Sequence, residues 1–158
     1  MRLPLIEIAL VAVAAAVAVT ALPRFSGGVK HPVVRASWAL TPGVLNPAVT
    51  QSTIRATVCK RGWTRTVRPP VEYTNALKAK QLAQYGLRGP RSAFQEDHLI
   101  SLELGGNPTD PRNLWPEPYP RAAEVDRIEN ELNAGVCSGS LTLAEAQRRE
   151  SALKHASG

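Results

Sequence analysis

The 158 residues suffice for one domain, and 44% hydrophobic with 20% charged residues is the make-up of a globular chain, which excludes a disordered or collagen-like polymer. Aromatics are scarce at 5%, so a core has to rest on Val, Leu, Ile and Ala. A formal charge of +6 favours partners of opposite sign, namely nucleic acid, anionic lipid or an acidic protein.

At the amino end Arg2 precedes an apolar run from Ile8 to Leu22 that only Thr20 interrupts. A helix crossing a bilayer needs ~20 apolar residues. The run is short for that and suits a signal peptide, with Val19-Thr20-Ala21 offering cleavage after Ala21. Pro4 and Glu7 are unusual there, so a signal anchor through residues 3–22 is the alternative. Residues 1–22 are thus expected to be signal peptide or anchor, and the protein secreted or held in the cell envelope. Residues 23–47, rich in Pro, Gly and small side chains, read as a linker or extended arm, and 48–158 as the folded domain.

Thr53 to Val58 alternates and is β-branched, which predicts a strand ending at Cys59. Gly62-Trp63 marks a turn. Pro70 opens a predicted helix reaching Tyr85, stopped by Gly86, with Lys78 and Lys80 off its apolar side. Leu99 to Leu104 reads as a short strand broken by Gly105-Gly106, and Asn113 to Trp115 as a returning strand before Pro116 and Pro118. Ala122, Val125, Ile128 and Leu132 predict a helix from Pro120 or Arg121 to Ala134, ended by Gly135. Thr142 with Glu145 three residues on is a capping box for a last helix.

Cys59 and Cys137 are either two buried thiols or a disulfide. The export signal and the even count favour the disulfide, which would close a loop of about 78 residues and stabilise by ~4 kcal/mol. No C-x-x-C pair exists and the histidines are scattered, which speaks against a structural zinc site.

The chemistry concentrates in residues 96 to 126: acids, a histidine, a glycine pair, an asparagine, then a helix. A metal-dependent phosphodiesterase needs a neutral imidazole to take a proton from water and a divalent cation on the phosphate, held by oxygen donors. Because strand neighbours point to opposite faces, Asp97 and His98 converge only if the backbone turns or bulges beside them.

The segment Glu96-Asp97-His98-Leu99-Ile100-Ser101-Leu102-Glu103-Leu104-Gly105-Gly106, with Asn113 fifteen residues after His98, resembles the HNH (ββα-metal, His-Me finger) endonuclease superfamily. Cys59, Gly62-Trp63, Arg68-Pro69, Tyr73, Lys78, Asn113-Leu114-Trp115-Pro116-Glu117, Asp126, Glu129-Asn130, Cys137 and Ala146-Gln147 make the chain similar to small exported bacterial HNH-like proteins. The resemblance implies an α+β domain with a ββα-metal core and flanking helices. It implies His98 as general base, Asp97 as metal ligand, and Asn113 as ligand or as the residue that orients the histidine loop. The last ligand is expected on the following helix, where Ala122 cannot serve and Asp126 can. The implied cofactor is a divalent ion, Mg2+ first, with Mn2+, Ni2+ or Zn2+ as alternatives.

The implied partner is the phosphate backbone of DNA or RNA, with Lys78, Arg91 and Arg112 as candidate contacts. Two departures stand out: Val125 where lysine is expected, and no tryptophan after the last helix. An incomplete helix ligand set motivates the alternative of an inactive HNH scaffold with a binding or structural role in the envelope.

Overall fold

The computed structural model describes residues 34–157, so the expected export segment and the arm up to residue 33 lie outside the described residues. The chain forms α+β structure, with helices α1 (Trp63–Val67), α2 (Val71–Gln84), α3 (Tyr119–Ser138) and α4 (Leu143–Ser157) around a hairpin of β1 (Phe94–His98) and β2 (Leu114–Pro118). The strands pair antiparallel, one residue to one, with Asp97 opposite Trp115 and His98 opposite Leu114.

Pro116 and Pro118 do not stop β2, and the register explains why. The Leu99 N–H bonds the Asn113 carbonyl at 2.8 Å, which makes 97/115 and 95/117 the hydrogen-bonded pairs. Both prolines then fall at the alternate pairs, where the backbone nitrogen points away from the partner strand.

The segment Leu99 to Leu104, expected as a strand, is instead a turn followed by a 3-10 turn over Leu102–Leu104. Its apolar run arises because the loop is enclosed on all sides, with Leu99 and Leu104 fully buried. Periodicity alone does not separate such a loop from a buried strand. The strand expected at 53–58 is likewise a 3-10 turn over Ile54–Ala56. The threonines there bond backbone locally: Thr53 Oγ1 donates to the Ala48 carbonyl at 2.9 Å and Thr57 Oγ1 to the Thr53 carbonyl at 2.8 Å. Ile54 and Val58 then meet the core together at helical spacing.

The α2 boundaries match the proline and glycine signals, with Gly86 at φ 64° after the helix. Lys78 does not face outward: it is buried and its Nζ donates to the Phe94 carbonyl at 2.9 Å. Gly135 does not end α3, which runs on to Ser138 and stops at Gly139 with φ 86°. Leu141 folds back over Gly135, its N–H bonding the Gly135 carbonyl at 3.1 Å, so a bare α-carbon suits that helical position. Half of the expected capping box forms. Thr142 Oγ1 accepts from the Glu145 N–H at 3.2 Å, while the Glu145 carboxylate pairs with Arg148 and Arg149.

One core cluster joins Ile54, Val58, Leu104, Leu132 and Val136, and a second joins Leu82, Phe94, Leu99 and Trp115 across α2 and the hairpin. Residues 34–47 lie along the domain: Val34 and Ala36 are buried, and Leu45 bridges to Gly106. Cys59 and Cys137 form a disulfide with Cα atoms 5.5 Å apart, fastening the segment before α1 to the end of α3. Among the described residues no helix is long and apolar enough to cross a membrane. Replacing both cysteines by serine is expected to lower stability by ~2–4 kcal/mol, read from the urea midpoint of each protein under non-reducing conditions. Equal midpoints would show that the closed loop contributes nothing.

Candidate active site

β1 carries Gln95, Glu96, Asp97 and His98 to its end, and the pleat sends Asp97 to one face and Glu96 with His98 to the other. The pairing is regular and no bulge brings them together. Both still border one cavity of about 390 Å³, because the strand ends at His98 and the chain turns away. Glu129 and Asp126 of α3 line the same cavity, as do Arg68 after α1 and Lys78 of α2. A second cavity of about 320 Å³ shares Arg68, Asp126 and Glu129 with the first.

His98 is buried, and its Nε2 lies 3.0 Å from the Pro108 carbonyl. A carbonyl only accepts, so Nε2 carries the proton and Nδ1 is left as the ring's acceptor. Burial holds the imidazole below its ordinary range, against the carbonyl bond and the charge of Asp97, which pull the other way. A neutral ring at pH 7 follows, the form a base requires.

Asp97 does not stand free. Its Oδ2 accepts from Lys154 Nζ at 2.8 Å, and its Oδ1 from Gln95 at 3.3 Å. Burial alone would raise this carboxyl, but the ammonium beside it keeps it ionised below the usual range. Lys154, which no motif marked, also pairs with Glu129 at 2.6 Å and Glu150 at 3.3 Å and donates to the His98 carbonyl. The lysine expected at 125 is thus absent, Val125 being buried, and an ammonium reaches the site from α4 instead.

Asn113 does not reach the cavity. Its Oδ1 accepts from the Ile100 N–H at 3.0 Å, and its Nδ2 donates to the carbonyls of Ile100 and Asn107, each at 3.0 Å. Of the two roles expected for it, holding the histidine loop in shape has these bonds behind it; the metal-ligand role has no free side-chain atom. Gly106 makes this possible, since a Cβ there would strike the Ile100 carbonyl and crowd Asn113 Nδ2.

Asp126 is exposed on α3 and borders both cavities; burial and then Asp97 push its carboxyl up. Of the expected phosphate contacts, Lys78 is engaged with the Phe94 carbonyl. Arg112 is exposed but forked onto Asp110 at 3.0 and 2.7 Å, and Arg91 is exposed in the 3-10 turn before β1.

Glu103, Glu117 and Glu129 entered the resemblance without an assigned role, and Glu150 went unmarked. Glu117 is fully buried and neither of its oxygens has a hydrogen-bond partner; the two oxygens of the half-buried Glu96 lack partners as well. Burial, with Asp97 adding to it, pushes Glu96 and Glu117 up to about 8, and burial with Glu129 pushes Glu103 up to about 7. Glu129 and Glu150 are raised too, chiefly by burial. For Glu150 and Lys154 the sequence offers an i,i+4 spacing on α4.

The chain matches no family model, no curated protein and no solved structure.

The raised acids set the pH response. Unfolded, Glu96, Glu103 and Glu117 ionise near 4.5; folded, they keep their protons to about 7 or 8. The unfolded state therefore holds fewer protons across that window, and stability falls as pH rises through it. Acidification below 6.5 opposes the fold through His98, whose folded value is depressed. Three glutamates outweigh one histidine above their unfolded value, so thermal melting is expected to peak near pH ~4–5 and to drop by at least ~5 °C at pH 8. Glu117→Gln should flatten the alkaline limb; an unchanged slope would mean that Glu117 is ionised throughout.

Proposed function

We propose that the chain is an extracytoplasmic, divalent-cation-dependent phosphodiesterase of the HNH type, cutting DNA or RNA. The observation that carries this reading is that Asp97 and His98 at the end of the first strand, and Asp126 on the helix after the second, border one cavity, while Asn113 braces the loop between the strands. The order strand, glycine loop, strand, helix supports it, and the disulfide fits an oxidising compartment. The signal or anchor segment remains part of the same proposal.

The cavity suits a hard cation. Glu96 brings two buried oxygens without partners to its wall, beside Asp97 and Asp126. Among the described residues no three His, Cys, Asp or Glu side chains form a ready cage. Mg2+ or Mn2+ is commonly held by one or two carboxylates together with water and substrate phosphate. Asp97 and Asp126 would supply those carboxylates, and Asn113 would not. The ion would supply positive charge to the phosphate and the leaving oxygen. His98, through Nδ1, would take the proton of the attacking water, with Nε2–H held by Pro108 to fix the tautomer. Arg68, exposed at the mouth of both cavities, would meet a phosphate oxygen.

The salt bridge from Lys154 to Asp97 favours a second reading, an HNH scaffold without activity that serves as a binding or structural envelope protein.

Nicking of supercoiled plasmid separates them. With Mg2+, Mn2+ or Ni2+ the oxidised protein should convert plasmid to open circles, and His98→Ala should lose at least ~10²-fold in rate. No cleavage with any of these ions would sink the enzymatic reading. For the cation itself, Mn2+ should raise the melting temperature of the wild type, and Asp97→Ala should abolish that increment. An equal increment in both would remove Asp97 from the ion's surroundings.

A further inference from the structure

Lys154 is fully buried, in the last turn of α4, with four oxygens around its Nζ. They are Asp97 Oδ2 at 2.8 Å, Glu129 Oε1 at 2.6 Å, Glu150 Oε1 at 3.3 Å and the His98 carbonyl. Two of the four belong to the reactive end of β1, one to α3 and one to α4 itself. A buried ion pair is seldom the most stabilising filling for such a space, since apolar side chains of the same volume do as well or better. What an ammonium adds is direction. It fixes where a carboxylate oxygen and a carbonyl sit, and an apolar chain does not.

We propose that Lys154 is a positioning residue of the site, its ammonium filling a built-in cation position that aligns the Asp97 carboxylate and the His98 main chain from α4. The proposal rests on the hydrolytic reading for its consequence in rate, and on geometry alone for the alignment. Asp97 carries the oxygen that faces the cavity, and His98 carries the ring. Both are adjacent along β1, and a single group reaches one by its side chain and the other by its backbone. Glu150 reinforces the same link, since its Oε1 accepts from the Ser101 N–H at 2.9 Å just beyond the histidine. The remaining charged groups about the ammonium are Glu117 from β2, Asp126 from α3 and Glu103 from the loop. None of them bonds Lys154, so its hold on β1 is specific to Asp97 and His98.

Lys154→Ala, assayed with and without ethylammonium chloride, tests this. Misalignment should lower kcat by about 10²-fold with KM little changed, because substrate contacts are untouched. Ethylammonium, which restores an N–H3+ group to the vacated space, should recover at least ~10-fold of that loss, and tetramethylammonium, which has no N–H, should not. The second readout needs no turnover: in the cation-free protein the amide resonances of His98 and Leu99 should shift in the variant and return with ethylammonium. Should the wild type cleave nothing while these resonances move and return, the alignment stands and the hydrolytic reading falls. A kcat within ~3-fold of wild type, or resonances that stay in place, overturns the proposal. If the alanine variant does not fold, Lys154→Met fills the same volume and is read by the same kcat and resonances; wild-type values for both overturn it equally.

Discussion

A single ammonium ion, buried away from water, is the constraint on which the rest of the structure depends. Taking Lys154 and its carboxylates out of solvent costs several kcal/mol per ion even after relaxation, and only close, well-directed partners offset that. Three acids compete for one cation, and the fold resolves the excess by keeping protons. Asp97 is ionised against the ammonium, whereas burial raises Glu129 and Glu150. The result is a near-neutral knot that requires β1, α3 and α4 in fixed relative places. The amino-terminal arm is drawn in as well, since the Ala36 N–H bonds the Lys154 carbonyl at 3.0 Å.

The knot would achieve little if the loop between the strands were free. That loop has no regular structure beyond short 3-10 turns, so its backbone groups need partners from outside. Asn113 supplies three of them with one side chain, by bonding both polar groups of Ile100 and the Asn107 carbonyl. The arm adds more: the Asn46 N–H bonds the Gly105 carbonyl at 2.9 Å, and the Gly43 N–H bonds the Arg112 carbonyl at 3.1 Å. With Glu150 on Ser101, the loop is held from the hairpin, the arm and α4 together. Pro108, at the far side of the loop, is thereby placed to accept from His98 Nε2. The tautomer of the histidine is thus a consequence of how the loop is braced.

Much of this was legible in the residues and some was not, for separable reasons. Helix ends with proline and glycine signals were readable, as at Pro70 and Gly86, because those residues act locally on φ and on N–H supply. Gly135 misled, because its reason for being glycine is Leu141 lying across it, a contact no local pattern encodes. Both misplaced strands were apolar, β-branched or leucine-rich runs whose spacing is shared by buried turns. The true β1 was hidden for the opposite reason: Phe94 to His98 is mostly polar, and it pairs with β2 while lysines of α2 and α4 bond the Phe94 carbonyl and the Asp97 carboxylate. The disulfide was expected from the export signal and the even cysteine count, whereas Asp126 was set beside Asp97 and His98 only by the family resemblance. Lys154 was not foreseen, since its partners at Asp97 and Glu129 lie on distant segments and only Glu150 shares its helix.

The distribution of charge alters what the overall excess of basic residues means. The chain as a whole carries +6, yet the cavity at the end of β1 is walled by Glu96, Asp97, Asp126 and Glu129 against Arg68 and Lys78. A nucleic acid drawn toward the basic exterior by long-range attraction would meet repulsion at the cavity itself. Such an arrangement separates two tasks. Under the proposed function, exposed arginines such as Arg91 would raise the local concentration of a polyanion, an effect that would weaken with salt. Entry of a phosphate into the cavity then depends on positive charge that the wall does not supply in sufficient amount. Lys154 does not supply it, because its charge is already balanced by Asp97 and shielded from the cavity by full burial. A divalent ion on the exposed side of Asp97 and Asp126 is the charge that the proposed reaction lacks. The two cations of the site would then have different duties, the buried ammonium holding the acids in place and the exchangeable ion meeting the substrate.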